Sequence, residues 1–216
     1  MVALFVININ NNRLRSNMNE VEKRSYALGC DLGNNLKTMG LPIEKDAFAQ
    51  GVMDAINGKL AMTMEELNAQ FALINNELEE RQRQMADAEK EVGIKFLAEN
   101  KTKEGVVETK SGLQYKVVTM GTGAKPSATD TVKVHYHGTL VDGTVFDSSV
   151  QRGEAIEFPL NRVIKGWTEG LQLMPIGSKF IFYIPSDLAY GEASPSPLIK
   201  PNSTLIFEVE LLDIRK

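Results

Sequence analysis

The stretch Val134 to Ser149, VHYHGTLVDGTVFDSS, decides how the C-terminal half of this chain is read. His135 and His137, the only histidines, flank Tyr136. Side chains alternate along a β-strand, so both histidines share one face and Tyr136 takes the other. Either the histidines form a functional pair, such as metal ligands, or the function belongs to Tyr136 and they point away from it.

Outward from this stretch, apolar and polar residues alternate in LQYKVVTMG (from Leu113), TVKVHYHGTLV, EAIEFPL, SKFIFYIP and STLIFEVELLDI, the pattern of strands. A short helix is expected from about Lys165 to Leu173, and Pro185, Pro195, Pro197 and Pro201 punctuate a long loop before the last strand. The segment predicts an α+β domain over residues 105–216, a twisted antiparallel sheet wrapped around one short helix.

Before residue 105 the pattern is helical, with Pro42 the only proline. One helix is expected from about Asn19 to Met39, stopped by Gly40 and Pro42, and a second from about Glu44 to Asn57, stopped by Gly58. Thr63 and Glu66 form a capping-box pattern that opens a third helix. The third pattern continues through Gly93 to about Asn100, a rod of roughly 55 Å at 1.5 Å per residue.

Leu67, Phe71, Ile74 and Leu78 make an apolar stripe on that rod. EERQRQ (Glu79 to Gln84) is polar on every side, and Met85, Ala88 and Val92 resume a thin stripe. The reading is a solvated stalk between two bodies, the alternative being a helix folded back on its own domain. Short helices enclose a poor core, and Cys30, the single cysteine, excludes an internal disulfide. Oligomerisation remains, most simply a two-fold homodimer, with Gly29 and Gly33 offering a small-residue face. The expected division is a disordered extension over 1–18, a helical dimerisation domain over 19–62, a stalk helix and linker over 63–104 and the β-rich domain over 105–216, whose opening GVVETKSG is read as linker.

The 216 residues are 43% hydrophobic and 24% charged, with net charge −4. Neither half is basic, so nucleic acid and anionic membranes are disfavoured as partners. The N-terminal MVALFVININNNRLRSN has too short an apolar run for a secretory signal, and no segment is long enough to span a membrane. Met18 is an alternative start. The expected location is the cytoplasm, with the periplasm as the alternative.

VHYHGTLVDGTVFDSS, VIKGWTEGLQLMPIGSK, IPSDLAYG and TLIFEVELLDI occur in the order found in FKBP-type peptidyl-prolyl isomerases, and the C-terminal half resembles that family throughout. The helical half, with YALGCDLG and FAQGVMDA, resembles the dimerisation module of the macrophage-infectivity-potentiator-like subgroup. The resemblance implies a hydrophobic bowl between sheet and helix, with Trp167 as its floor. It implies an aromatic wall of Tyr136, Phe146 and Phe207, and an aliphatic part from Val163 and Ile164. Asp147 matches the pocket carboxylate, and Arg152 its basic partner. Tyr190 matches the hydroxyl that binds a ligand carbonyl, and the Ile164 N–H is expected to bind another. Ile199 keeps an apolar contact at the rim, and Ile156 stands where some relatives carry an aromatic residue. Ser194, Pro195 and Ser196 depart from the glycines or ring residue common at the rim, which bears on substrate preference.

The chemistry fits such a bowl. Twisting a prolyl amide breaks resonance over a barrier of about 18–20 kcal/mol and takes tens to hundreds of seconds uncatalysed. The twisted imide has less charge separation than the planar one, so a dry aromatic pocket favours it. No proton transfer, metal or other cofactor is required. Tyr136 therefore faces the pocket, and the histidines the opposite side. The expected activity is isomerisation of Xaa-Pro bonds in unfolded or proline-containing proteins, with capture by a dimeric helical module and inhibition by rapamycin-type macrolides. The alternatives are a binding module with little turnover and a helical scaffold whose C-terminal domain recruits partners.

Overall fold

Asn19 opens the first helix in the computed structural model, which describes residues 18–216. The expected extension, the alternative start and the reading against a signal therefore fall on residues outside, or at the edge of, the described part. The Asn19 side chain accepts from the Val21 and Glu22 N–H groups, and Glu22 accepts from the Asn19 N–H. This helix, α1, spans Glu20–Met39 and ends at Gly40, whose φ of 69° is a left-handed conformation that glycine adopts without a Cβ penalty. The second, α2, spans Lys45–Asn57 between the Glu44 carboxylate cap and Gly58. The third, α3, spans Met64–Asn100 behind the reciprocal Thr63–Glu66 capping box.

The chain divides into two compact units, one ending at Glu79 and the other running from Glu80 to Lys216. In the first, neither α1 nor α2 has a buried residue. Leu28, Ile56, Phe71 and Leu73 are all more than half exposed.

The second unit is built on an antiparallel sheet of β1 (Val106–Glu108), β2 (Gln114–Thr119), β3 (Thr131–Leu140), β4 (Val145–Ser148), β5 (Ile156–Pro159), β6 (Lys179–Ile184) and β7 (Leu205–Arg215). The order is β1-β2-β6-β7-β3-β4, and β5 pairs with the first half of β3. A short helix, α4 (Ser149–Arg152), follows β4, and α5 (Lys165–Leu171) packs on the sheet. Alternation along β3 buries Val132, Val134, Tyr136, Gly138 and Leu140 and leaves the residues between them half-buried. Trp167 and Leu171 of α5 join Phe182, Ile184, Leu205, Val209 and others in one core. The helix lies close because Gly166 and Gly170 have no side chains: a Cβ there would run into Ile184 and Phe182.

Two features differ from the sequence reading. Val106–Glu108, expected as linker, pairs with β2 around a turn at Gly112, whose φ is 90°. The contact boundary also falls at Glu80 and not at residue 105. Most of EERQRQ is exposed, but beyond it α3 packs on the sheet unit. Buried Asn100 donates to buried Gln114, which donates in turn to the Leu97 carbonyl. Phe96 meets Tyr183 at 5.9 Å between ring centroids. These contacts use polar residues, one aromatic and the bare face of Gly93, so a search for an apolar stripe passes over them.

Candidate active site

β3 delivers Tyr136 to a cavity of about 680 Å³ between the sheet and α5. Trp167, one turn into α5, is 5% exposed and forms the base of an aromatic cluster. Its indole meets Phe207 at 4.9 Å, Tyr136 at 5.3 Å and Phe158 at 5.2 Å between centroids. Phe207 comes from β7, directly opposite Gly138 of β3 in the antiparallel register. Phe146 comes from β4 and meets Phe207 edge-on. Edge-to-face contacts suit the ring quadrupoles and keep the faces available to an apolar guest.

The polar part lies on one side of this bowl. The Tyr136 hydroxyl donates to Asp147 Oδ2, and Arg152 Nη1 donates to Asp147 Oδ1. Arg152 Nη2 also donates to the Tyr136 hydroxyl at 2.9 Å, which closes a three-membered network. The four-residue α4 brings Arg152 back beside Asp147, held by the Ser148 side-chain cap and ended at Gly153, φ 72°. Burial pushes the Asp147 carboxyl up, but the hydrogen bonds from Tyr136 and Arg152 outweigh it and hold the group below the ordinary range. Burial and then the bond to Asp147 push the Tyr136 phenol up. The network thus favours an ionised carboxylate and a neutral phenol, and neither group is poised to exchange protons near neutral pH. Burial, followed by the Asp147 charge, raises the Tyr190 phenol as well.

Of the residues singled out in the sequence, Tyr136, Phe146, Asp147, Ile156, Val163, Ile164, Trp167, Tyr190, Ile199 and Phe207 all line this cavity. Arg152 does not line it and acts on it through Asp147 and Tyr136. The cavity also takes Phe158 and Arg162, which the sequence reading missed, and the rim residues Pro195 and Ser196. Phe158 stands two residues beyond Ile156 on β5, so strand alternation could have found it. Ile164 occupies the N-cap position of α5, which has no side-chain cap.

His135 and His137 are half-buried on the other face of β3. Their Nδ1 atoms lie 3.1 Å from Ser149 Oγ and 3.0 Å from Ser148 Oγ. Among the described residues no group of three or more His, Cys, Asp or Glu is arranged to hold a metal ion.

An aromatic bowl with an ionised carboxylate fixed at one side has the chemistry to take an apolar group with a polar atom beside it. Residues 122–212 match the family model for FKBP-type peptidyl-prolyl cis-trans isomerase, and residues 21–117 match the model for the domain amino terminal to it. The chain is 48% identical over 192 residues to the FKBP-type 22 kDa peptidyl-prolyl cis-trans isomerase of Escherichia coli, covering 88% of this chain and 93% of that relative. It is 44% identical over 200 residues to the outer membrane protein MIP of Legionella longbeachae, covering 90% and 86%. The crystal structure of FkpA from Escherichia coli superposes with a TM-score of 0.74 at 38% identity, covering 91% of this chain and 97% of that one. The chain belongs to the FKBP-type peptidyl-prolyl cis-trans isomerases. It is a prolyl isomerase and folding catalyst with a helical N-terminal module.

No described helix is long and apolar enough to cross a membrane. The expected cytoplasmic location is not supported: it rested on residues 1–17, and one relative carries the name of an outer membrane protein.

Proposed function

We propose that the bowl over Trp167 is where the Xaa-Pro bond turns, with Tyr136, Asp147 and Tyr190 as the catalytic side chains. The substrate proline rests on the indole between Phe146, Phe207 and Ile156. The Ile164 N–H and the Tyr190 hydroxyl donate to carbonyls on either side of the bond, while Val163 and Ile199 bound the apolar rim. Asp147, oriented by Arg152 and Tyr136, presents a fixed negative charge to the twisting imide. The bound proline displaces water from the indole, and loss of charge separation lowers the barrier without a proton moving. One observation carries this reading: Asp147 is committed to Tyr136 and Arg152, so its role is orientation and field and not acid catalysis. A rapamycin-type macrolide fits the same apolar bowl as an inhibitor.

The helical unit supports a homodimer. Its α1 and α2 bury nothing in a single chain, which leaves an apolar face for a second copy. Two linked pockets hold an unfolded chain at raised effective concentration while either one samples its prolines. The relative named as an outer membrane protein favours the cell envelope over the cytoplasm.

The test compares the full chain with residues 80–216 at equal pocket concentration. Short-peptide turnover should be equal, and catalysed refolding of a proline-limited protein should be slower for the fragment. A folded fragment without peptide turnover would favour a binding module. A full chain that sediments as a monomer at micromolar concentration would remove the dimer.

A further inference from the structure

Between Tyr190 and Leu205 the chain forms one wall of the pocket, carrying Tyr190, Pro195, Ser196 and Ile199 into it. This loop is tied to itself. Ser194 Oγ donates to the Ile199 carbonyl at 2.7 Å, Ser196 and Ile199 form a β-bridge, and the Asn202 N–H donates to the Gly191 carbonyl at 2.7 Å. A segment cross-linked in this way moves as a piece, so whatever holds its C-terminal foot sets the position of the wall.

That foot rests on α3. Asn202 Nδ2 donates to the Ala86 carbonyl at 3.3 Å, Ser203 Oγ to Glu89 at 3.4 Å, and Lys200 Nζ lies 3.5 Å from the same carboxylate. One turn further along, Gly93 faces Thr204. A Cβ on Gly93 would overlap Thr204 Oγ1 outright and press on Thr204 Cβ at 3.2 Å. Gly93, Asn202, Ser203 and Thr204 are all buried. Glycine costs about 1 kcal/mol against alanine inside a helix, and close approach is the gain that offsets it. Asn202 has a φ of 62°, the only non-glycine residue with positive φ among the described residues. A left-handed residue whose side chain reaches the helix is placed there by more than the turn.

We propose that the Ala86–Gly93 part of α3 is a positioning element of the isomerase site. It sets the rim that selects the residue before proline, with Gly93, Glu89 and Asn202 as positioning residues. The proposal rests on the reading of the bowl as the substrate site. Tyr136, Phe146, Phe158, Trp167 and Phe207 belong to the sheet and α5, so a rim displaced by a fraction of an ångström leaves the proline seat intact. Its effect falls on what lies beside the proline, and most on a bulky side chain.

The experiment uses the full chain and three variants: Gly93→Ala, Gly93→Ala with Thr204→Ala, and Asn202→Gly. The last keeps the left-handed backbone and removes only the tie to Ala86. Turnover is measured on peptides with Ala, Leu or Phe before proline, with circular dichroism and urea midpoints reporting the fold, and Asp147→Ala serves as the pocket control. Gly93→Ala and Asn202→Gly should lower kcat/KM for the Phe-Pro peptide about fivefold and for Ala-Pro less than about twofold, a difference any merely structural lesion would not produce. Thr204→Ala should restore the ratio in the Gly93→Ala background. Equal losses on all peptides, or an unchanged ratio while Asp147→Ala is impaired, would overturn the positioning role alone. An Asp147→Ala variant with full turnover on every peptide would overturn the reading of the bowl, and the proposal with it.

Discussion

The ring of Phe146 meets that of Phe207 edge-on, with centroids 5.4 Å apart and planes at 88°. Gly138 lies beneath the pair: a Cβ there would come within 2.8 Å of both rings. One missing side chain on β3 therefore allows two neighbouring strands to build a continuous aromatic wall. Gly138→Val should cost about 1–3 kcal/mol through overpacking and should lower peptide turnover by displacing the wall. Urea unfolding and the peptide assay check both. A variant as stable and as active as the parent would show that the rings yield freely.

Trp167 contributes chiefly its area, since among the described residues its buried Nε1 has no hydrogen-bond partner. Trp167→Ala should cost about 3–5 kcal/mol together with ligand affinity. Trp167→Phe, which removes a donor for which the described residues supply no acceptor, should keep the fold and leave turnover within several-fold of the parent. Unfolding midpoints and peptide kinetics for the two variants provide the comparison. A Phe variant as damaged as the Ala variant would argue that the indole nitrogen matters.

Asp147 predicts a specific acid profile. Because its folded pKa is lowered, the stability it lends is fully present above the ordinary aspartate value of about 3.9 and is lost only as pH falls through the lower folded value. The difference in urea midpoint between the parent and Asp147→Ala should stay constant from neutral pH down to about pH 4 and narrow below it. Peptide turnover should show no acidic limb in the higher range. A limb centred near neutral pH would assign proton transfer to the site.

Replacing both His135 and His137 by Ala should leave peptide turnover within a few-fold of the parent, because both sit on the face of β3 turned from the bowl. Added chelator should have no effect on either protein. If the double variant folds and is catalytically dead, the link through Ser148 and Ser149 to α4 matters more than the strand faces imply.

Residues 105–216 should be less stable than residues 80–216. Cutting at 105 removes Asn100 from Gln114, Phe96 from Tyr183 and the helix on which the foot of the rim loop rests. Each polar group left without its partner costs about 1–3 kcal/mol if it stays buried. The longer fragment should unfold at higher urea with a steeper transition, since it buries more surface. Equal midpoints would mean that α3 adds nothing to the fold of the sheet unit.

Periodicity alone determined the helices, because their signals are local. Asn19 and Thr63 cap, Gly40 and Gly58 stop, and the observed bounds follow. Strand alternation likewise put Tyr136 on one face of β3 and the histidines on the other. The motif order pointed to ten of the residues that line the cavity, since those motifs lie on the strands and helix that build it. What sequence could not supply was contact between segments far apart in the chain. Arg152 pairs with Asp147 as expected, but it does not line the cavity, because a four-residue helix turns its guanidinium onto that carboxylate from behind. Val106–Glu108 was read as linker, because three residues become a strand only when β2 offers its edge. Gly93 was read only as a residue through which the helical pattern continues, yet its missing side chain is what admits Thr204, more than a hundred residues later. Caps, stops and strand faces depend on neighbours along the chain, whereas the rim of the pocket depends on packing that exists only once the sheet and helix have met.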